Sequence, residues 1–237
     1  MFKAPNLTRN FSLQLILVFL AVLFVTRSAR ANEITVWNFN DSDLVVDHGA
    51  GTLTSNFITT NLVFAAGTTN NARLGDLAGQ ALSLQGGTSN TNNGRNLTFA
   101  VSTIGYSAIV VSFASQGTST GFNSNQFQYS IDGVNFIDFG APYTPLSAFG
   151  SVPVVFDLSS IAGLDNNPDA AFRIVFNGAT SSTGNNRLDN FVVEGTTVAT
   201  SVPEPATIGL LATALSSIWA QRSRRRICRV LRKIRLD

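Results

Sequence analysis

The sequence predicts an all-β fold for the middle of the chain, a two-layer antiparallel β-sandwich of the jelly-roll type. Three observations support this prediction. Between residues 32 and 196, short stretches alternate apolar and polar residues, as half-buried strands do. Clusters of Gly, Asn, Asp and Ser, which favour turns, separate these stretches. No part of the region sustains the apolar period of 3.6 residues that an amphipathic helix requires.

Eight to ten stretches of this kind are present, the first at Glu33 to Asn40 and the last at Leu188 to Glu194. Between them, residues 44–84 contain only short apolar pieces and are the least regular part of the region. Asp132-Gly133 lies between two alternating runs and predicts a two-residue hairpin turn, because both central positions of such a turn need positive φ. The predicted domain therefore spans residues 32–196 and is antiparallel throughout.

Charge and cysteine content exclude several function classes for this domain. Residues 32–205 hold 13 acidic residues and four arginines, a formal charge of −9, whereas the basic residues that raise the sequence pI to about 9.0 lie at the two ends. Nucleic acid is therefore excluded as a partner, since its phosphates would be repelled. Cys228 is the only cysteine and lies in the basic tail, so thiol catalysis and cysteine zinc sites are excluded as well.

The N-terminal residues 1–31 predict a signal peptide. Lys3 and Arg9 precede an apolar stretch over residues 11–25, and Ala29 and Ala31 are the small residues of an A-x-A cleavage pattern. We therefore expect export through the secretion machinery. The alternative is an uncleaved N-terminal anchor.

The C-terminal residues predict a membrane helix that follows a polar linker at 197–201. Residues 206–220 are apolar and would form a helix of about 22 Å, which is shorter than a hydrocarbon core of about 30 Å. Flanking residues and snorkelling arginines reduce the mismatch. A cluster of arginines would keep this end in the cytoplasm and leave the domain outside. The motif before the apolar run and the cluster after it comprise Val202, Pro203, Glu204, Pro205, Arg222, Arg224, Arg225 and Arg226.

This arrangement over residues 202–226 resembles the PEP-CTERM sorting signal of Gram-negative bacteria. The resemblance implies recognition, with cutting near the Pro-Glu-Pro motif, by an integral membrane transpeptidase-like enzyme called exosortase. It also implies residence in the inner membrane before processing, and then transfer to the cell envelope, the cell surface or an extracellular exopolysaccharide matrix. The alternative is a plain C-terminal anchor. Residues 227–237 extend beyond the usual end of the signal as a basic amphipathic segment.

The domain offers little material for catalysis. His48 is the only histidine, which excludes a multi-histidine metal site, and no serine stands in a nucleophile-elbow context. No carboxylate pair suited to glycoside hydrolysis is evident. We therefore predict a non-enzymatic binding or structural role, with extracellular polysaccharide as a candidate ligand. The alternative is a secreted hydrolase that acts on polysaccharide through carboxylates. The candidate sugar platforms are the aromatic residues in loop-like stretches, Phe122, Tyr143 and Phe149.

A structural calcium ion is the one cofactor that the sequence suggests. Calcium prefers carboxylate, amide and carbonyl oxygens, and the first and last strands of a jelly roll are neighbours. Residues 188–193 resemble the closing strand of galactose-binding-like carbohydrate-binding modules, which implies a calcium-ligating role for the aspartate there. The alternative is that Asp189 and Asn190 are ordinary surface or strand-end polar groups. The predicted ligands are Asn38, Asn40, Asp41, Asp43 and Asp189.

Overall fold

The computed structural model describes residues 31–198, which form two antiparallel β-sheets packed face to face. The predicted signal peptide and sorting signal lie outside the described residues. No helix within the described range is long and apolar enough to cross a membrane. The strands are β1 (Ala31–Trp37), β2 (His48–Gly49), β3 (Thr52–Ser55), β4 (Leu62–Ala66), β5 (Gln80–Gln85), β6 (Arg95–Ala100), β7 (Tyr106–Gly117), β8 (Ser124–Ser130), β9 (Ile137–Asp138), β10 (Val154–Asp157), β11 (Ala171–Asn177) and β12 (Asn185–Thr197).

The seven-stranded sheet is built around β12. Its strands follow the order β10-β7-β12-β1-β2, and β5 also pairs with β12 and carries β4 on its other side. Trp37 of β1 lies opposite Phe191 of β12, so the first and last strands are neighbours as predicted. The final strand extends to Thr197, into the segment predicted as a linker.

The five-stranded sheet follows the order β3-β6-β11-β8-β9, with β11 at its centre. Arg173 of β11 lies opposite Thr98 of β6 on one side and Gln128 of β8 on the other. Phe172 and Ile174, which flank Arg173, are fully buried. Because side chains alternate between the two faces of a strand, Arg173 points away from the core.

Aromatic side chains from both sheets form the core between the layers. The ring of Phe99, on β6, stacks on that of Phe191, on β12, with 3.6 Å between centroids. Phe127 stacks on Phe156 at 3.9 Å, and the edge of Trp37 meets Phe99 at 5.1 Å. Burying each such ring contributes about 1.5–3 kcal/mol relative to leaving it exposed. These contacts join the layers without any disulfide.

The predicted sandwich is confirmed, but two details of the prediction are wrong. The structure has twelve strands instead of eight to ten, because two-residue strands such as β2 and β9 are too short to show alternation. β8 and β9 do form a hairpin, with Gln128 opposite Asp138, but residues 131–136 connect them instead of a two-residue turn. Only Gly133 of the Asp132-Gly133 pair has positive φ, since the Asp132 carboxylate closes the loop by accepting backbone N–H groups.

Candidate functional site

The outer face of the seven-stranded sheet is covered by the loop that joins β4 to β5, residues 67–79, called here the 67–79 loop. Asn71 donates from its side-chain amide to the Ser112 hydroxyl on β7, at 3.1 Å, and to the Asn190 carbonyl on β12, at 2.8 Å. Arg73 forms a salt bridge to Glu194 of β12 at 3.0 Å. The loop therefore leaves little of this sheet face accessible to a ligand.

A β-bulge in β12 holds the loop in place. Asp189 and Val192 of β12 pair with Ala114 and Ser112 of β7, so β12 carries one extra residue at this point. Asn190 takes a φ of 48°, in the left-handed region. Its side-chain amide donates to the carbonyls of Thr68 and Asn70, both at 2.8 Å.

Asp189 lies at the same bulge and is 1 % exposed. Its carboxylate accepts the backbone N–H of Thr68 at 2.7 Å and that of Asn190 at 2.9 Å. Burial, with a smaller contribution from the nearby charge of Asp47, raises the pKa of Asp189 to about 7, although the two N–H donors oppose the shift. The alternative in which Asp189 and Asn190 are surface residues is wrong, since both are buried.

Three oxygen atoms converge beside Gly67, at the start of the loop. A Cβ on this glycine would stand 2.3 Å from the Ala78 carbonyl oxygen, 2.5 Å from Asp189 Oδ2 and 2.7 Å from the Gln80 carbonyl oxygen. The three oxygens therefore lie close together, and a side chain at position 67 would collide with them. A buried carboxylate with two carbonyls fits the preference of calcium for hard oxygen donors.

The other predicted calcium ligands divide into two groups. Asn40 reaches the 67–79 loop, donating to the Leu77 carbonyl at 3.1 Å and accepting from the Gln80 N–H at 2.9 Å. Asn38 also reaches it, through Asp76 at 3.0 Å. Asp41 is exposed, and Asp43 accepts the N–H of Val45 in a local turn. Residues 31–198 contain no group of three or more His, Cys, Asp or Glu side chains placed to hold a metal ion.

His48 contacts the 67–79 loop through Asp76. Its Nε2 lies 3.0 Å from Oδ2 of Asp76, which also accepts the Asn38 amide. The residue belongs to the short strand β2 and is paired with Val36 of β1. His48 therefore takes part in a structural contact between β2 and the loop.

The outer face of the five-stranded sheet, by contrast, is largely open. Its central row of side chains runs across all five strands and is polar from end to end. Arg173 and its two neighbours are half-buried, and the residues at both ends of the row are exposed. In spatial order, the row is Thr54, Thr98, Arg173, Gln128 and Asp138.

Arg173 is held at the centre of this face by two contacts. Its Nε donates to the Thr98 hydroxyl at 3.0 Å. Its guanidinium carbon lies 3.4 Å from the ring centroid of Phe136, which is a close cation–π contact. Partial burial lowers the pKa of Arg173, but a guanidinium stays protonated at neutral pH. The face therefore presents a fixed positive charge beside an aromatic ring.

The 131–136 loop carries Phe136 over the sheet and is internally braced. Asp132 accepts the backbone N–H of Val134 at 2.9 Å and that of Asn135 at 2.7 Å, and the Ser130 hydroxyl at 2.9 Å. These hydrogen bonds, that from the Asn135 N–H first among them, hold the pKa of Asp132 well below its usual range. Asn167 donates to the Ile131 carbonyl at 2.9 Å and fixes the start of the loop.

A cavity of about 260 Å³ lies where this loop meets the end of the sheet. Ser102, Asp132 and Asp169 supply its hydroxyl and carboxylate groups, while Ala100, Val134 and Pro168 supply apolar surface. Ala100 lies two residues along β6 from Thr98, so the cavity adjoins the polar row. Together they form a continuous surface of hydrogen-bonding groups.

The aromatic platforms predicted from the sequence do not form this surface. Phe122 is 1 % exposed and packs in the core against Phe57 and Phe176. Tyr143 packs against Phe113, and its hydroxyl is buried. These two predictions are wrong, because both loops fold back onto the sandwich. Sequence reasoning missed Phe136 and Arg173, although the alternation of β11 was a signal that Arg173 faces outward.

No protein-family model matches the sequence, and no curated protein matches it. Three similar solved structures are described here. The CBM22-1 xylan-binding domain from Paenibacillus barcinonensis Xyn10C is 9 % identical, with a TM-score of 0.44, over 73 % of this chain and all of that chain. TmCBM61 in complex with beta-1,4-galactotriose is 11 % identical, with a TM-score of 0.40, over 66 % of this chain and 92 % of that chain. The mannan-recognising carbohydrate-binding module TmCBM27 is 12 % identical, with a TM-score of 0.38, over 71 % of this chain and all of that chain. With TM-scores below 0.5, no functional residue is transferred from them.

The burial of Asp189 predicts a stability that decreases as pH rises. The folded chain holds a proton on this carboxyl up to a pKa of about 7, whereas the unfolded chain releases it near 3.8. Stability is therefore greatest below pH 4 for this group and is lost as pH rises towards 7. In the presence of a chelator, the free energy of unfolding measured with urea should fall by about 2 kcal/mol between pH 5 and pH 8.

The variant Asp189→Asn should remove most of this pH dependence, while Asp43→Asn, at a locally bonded turn residue, should keep it. Asp47, whose pKa burial also raises, contributes in the same direction. The lowered pKa values of Asp132 and Asp157 act only below about pH 4 and do not enter this window. Equal stability of the wild-type protein at pH 5 and pH 8 would contradict the prediction.

Proposed function

We propose that the sandwich is a non-catalytic carbohydrate-binding domain that holds its ligand on the outer face of the five-stranded sheet. The observation that carries the proposal is the contrast between the two sheets. The 67–79 loop covers the outer face of one, and the other leaves a polar row, an aromatic ring and a cavity accessible. Sugars bind through hydroxyl groups and apolar ring faces, and this surface offers partners for both.

The electrostatics favour binding over hydrolysis. A glycosidase needs a general acid with a raised pKa beside the ligand. Asp132, which lines the cavity, has a lowered pKa and stays ionised. The carboxyls with a clearly raised pKa, Asp47 and Asp189, contact β1 and the 67–79 loop on the other sheet. The two carboxyls whose pKa burial raises therefore lie away from the open face, which favours binding over hydrolysis.

The sorting part of the proposal rests on the sequence. Residues 1–31 direct export, and residues 202–226 act as a PEP-CTERM-type signal processed by an exosortase-like membrane enzyme, which releases the domain to the cell surface or an exopolysaccharide matrix. Pro203-Glu204-Pro205, the apolar run 206–220 and the arginines after it support this role.

Calcium completes the proposal as a structural cofactor. Asp189 and the carbonyl oxygens of Ala78 and Gln80 would hold the ion, since these three oxygens converge beside Gly67. A bound cation would offset the cost of an ionised, buried Asp189 and tie β12 to the 67–79 loop. Of the residues predicted from the sequence, Asn40 and Asn38 also contact this loop.

Glycan binding should be measured by affinity electrophoresis of the full-length chain through a panel of neutral and acidic polysaccharides. We expect retardation by at least one polysaccharide, and Phe136→Ala should weaken it about tenfold because the ring stands at the open face. Phe149→Ala is the matched control and should bind as the wild type does, since the carbonyl of the neighbouring Gly150 accepts a hydrogen bond from Asn70 of the 67–79 loop, on the other sheet. Release of reducing sugars during incubation would support the hydrolase alternative instead.

Calcium binding should appear in thermal unfolding at pH 8. Millimolar calcium should raise the midpoint of the full-length chain by about 5 °C over a chelator, because a ligand bound only by the folded state stabilises it. Asp189→Asn should abolish the increase. Asp43→Asn removes a residue of the predicted set that does not reach the convergence point and should preserve it. The same midpoint with calcium and with chelator would rule out the site.

Sorting can be followed with an epitope tag placed after Asp237. In a Gram-negative host that contains exosortase, the exported protein should lose the tag, because processing removes the chain beyond the Pro-Glu-Pro motif. A variant with Pro203→Ala, Glu204→Ala and Pro205→Ala should remain in the membrane with its tag. Surface-located wild-type protein that still carries the tag would contradict processing.

A further inference from the structure

We propose that Arg173 binds the carboxylate of a uronic acid unit, so that the ligand of the open face is an acidic polysaccharide. The inference rests on the proposed carbohydrate-binding function and specifies its ligand class. It is carried by the hydrogen bonds and charges around one side chain at the centre of the five-stranded sheet.

Arg173 differs from the other arginines among the described residues in what its side chain contacts. Arg73 pairs with the Glu194 carboxylate, and Arg95 and Arg187 donate from Nη1 to backbone carbonyls. Arg173 uses only Nε, towards the Thr98 hydroxyl. Within residues 31–198, no acceptor lies in hydrogen-bond range of its two terminal nitrogens, and no carboxylate pairs with it. Partial burial of the Arg173 charge costs solvation energy that no protein carboxylate offsets. An anionic ligand would offset it.

The surroundings of Arg173 fix its orientation and leave its charge uncancelled. The centroid of the Phe136 ring lies 3.4 Å from the guanidinium carbon, so the ring covers one face of the guanidinium plane. The hydrogen bond from Nε to the Thr98 hydroxyl fixes the guanidinium on the side of the sheet. The nearest acid in the polar row, Asp138, lies two strands away and accepts the Gln128 amide at 2.8 Å. A planar, fixed guanidinium is suited to a planar carboxylate, which it binds through two parallel N–H groups.

The net charge of the domain opposes the binding of a polyanion, so an acidic ligand must be held by a local contact. Residues 32–205 carry a formal charge of −9, and the uncancelled guanidinium of Arg173 is the local positive charge on the open face. Asp132 and Asp169 line the adjoining cavity and would repel a second carboxylate, but accept hydroxyl groups of a neutral unit. The surface therefore suits a uronate beside Arg173 and an uncharged sugar in the cavity.

Matched polysaccharides test this assignment. Alginate, pectate and glucuronoxylan would each be compared with the same polymer after chemical reduction of its carboxyl groups to alcohols. The full-length chain should bind at least one uronate polymer about tenfold or more tightly than its reduced form, since a charge-assisted pair is lost on reduction. Dextran sulfate and dextran form a fourth pair that probes another anion.

Three variants locate the effect. Arg173→Gln should abolish the preference for the uronate form, and Arg173→Lys should retain a weaker preference because an ammonium cannot bind in bidentate fashion. Arg187→Gln removes a matched charge from the other sheet and should behave as the wild type. Thermal unfolding checks that each variant is folded, and Arg173→Lys supplies the test if the glutamine variant is not.

The outcomes separate the inference from the function on which it rests. Equal binding of acidic and reduced polymers would overturn the uronate assignment and leave carbohydrate binding standing. So would a preference confined to dextran sulfate, or an uronate preference that persists in Arg173→Gln. Failure of the folded protein to bind any polysaccharide would overturn both proposals together.

Discussion

The extra residue in β12 at Asp189 and Asn190 governs the arrangement of the whole domain. Before it β12 pairs with β5, and after it β12 pairs with β1, so one strand joins both parts of the seven-stranded sheet. The left-handed Asn190 turns its amide to two carbonyls of the 67–79 loop, which consequently lies across that sheet. Because this outer face is covered, the outer face of the five-stranded sheet is the more accessible of the two.

The sequence predicted the architecture well because strand alternation is a local signal. The apolar positions 97, 99 and 172, 174 that alternate in the sequence are buried in the structure. The neighbouring positions of the first and last strands followed from the jelly-roll topology. The length of the turn at Asp132 could not be predicted in the same way. The Asp132 carboxylate accepts the backbone N–H groups of Val134 and Asn135, which stabilises a loop longer than two residues.

The site was harder to predict, because which way a loop side chain points is decided by contacts distant in sequence. Phe122 and Phe136 both lie in connections rich in Gly and Asn, yet one packs in the core and the other lies over Arg173. Asp189 and Asn40 approach the same loop from opposite ends of the chain, whereas Asp41 and Asp43, equally rich in oxygen, face solvent or their own turn. The residue types in the sequence therefore indicated candidate ligands, but they did not indicate which way each side chain points.

The two sheet faces also differ in charge. A buried carboxylate without a cationic side chain partner, Asp189, marks the covered face, and a guanidinium without a carboxylate partner, Arg173, marks the open one. Neither residue forms a salt bridge within residues 31–198. Each therefore favours an external partner of opposite charge. The proposed calcium ion and the proposed acidic ligand would therefore bind on different sheets and would not compete directly.

The bracing of the 131–136 loop has a kinetic consequence. Asp132 and Asn167 hold the loop, and hence the Phe136 ring, through hydrogen bonds made within the domain. A preformed surface of this kind avoids the entropic cost of ordering a loop on association. If the proposed glycan binds here, its encounter requires no prior conformational step, so the observed association rate should increase linearly with ligand concentration, and the dissociation rate should set most of the affinity.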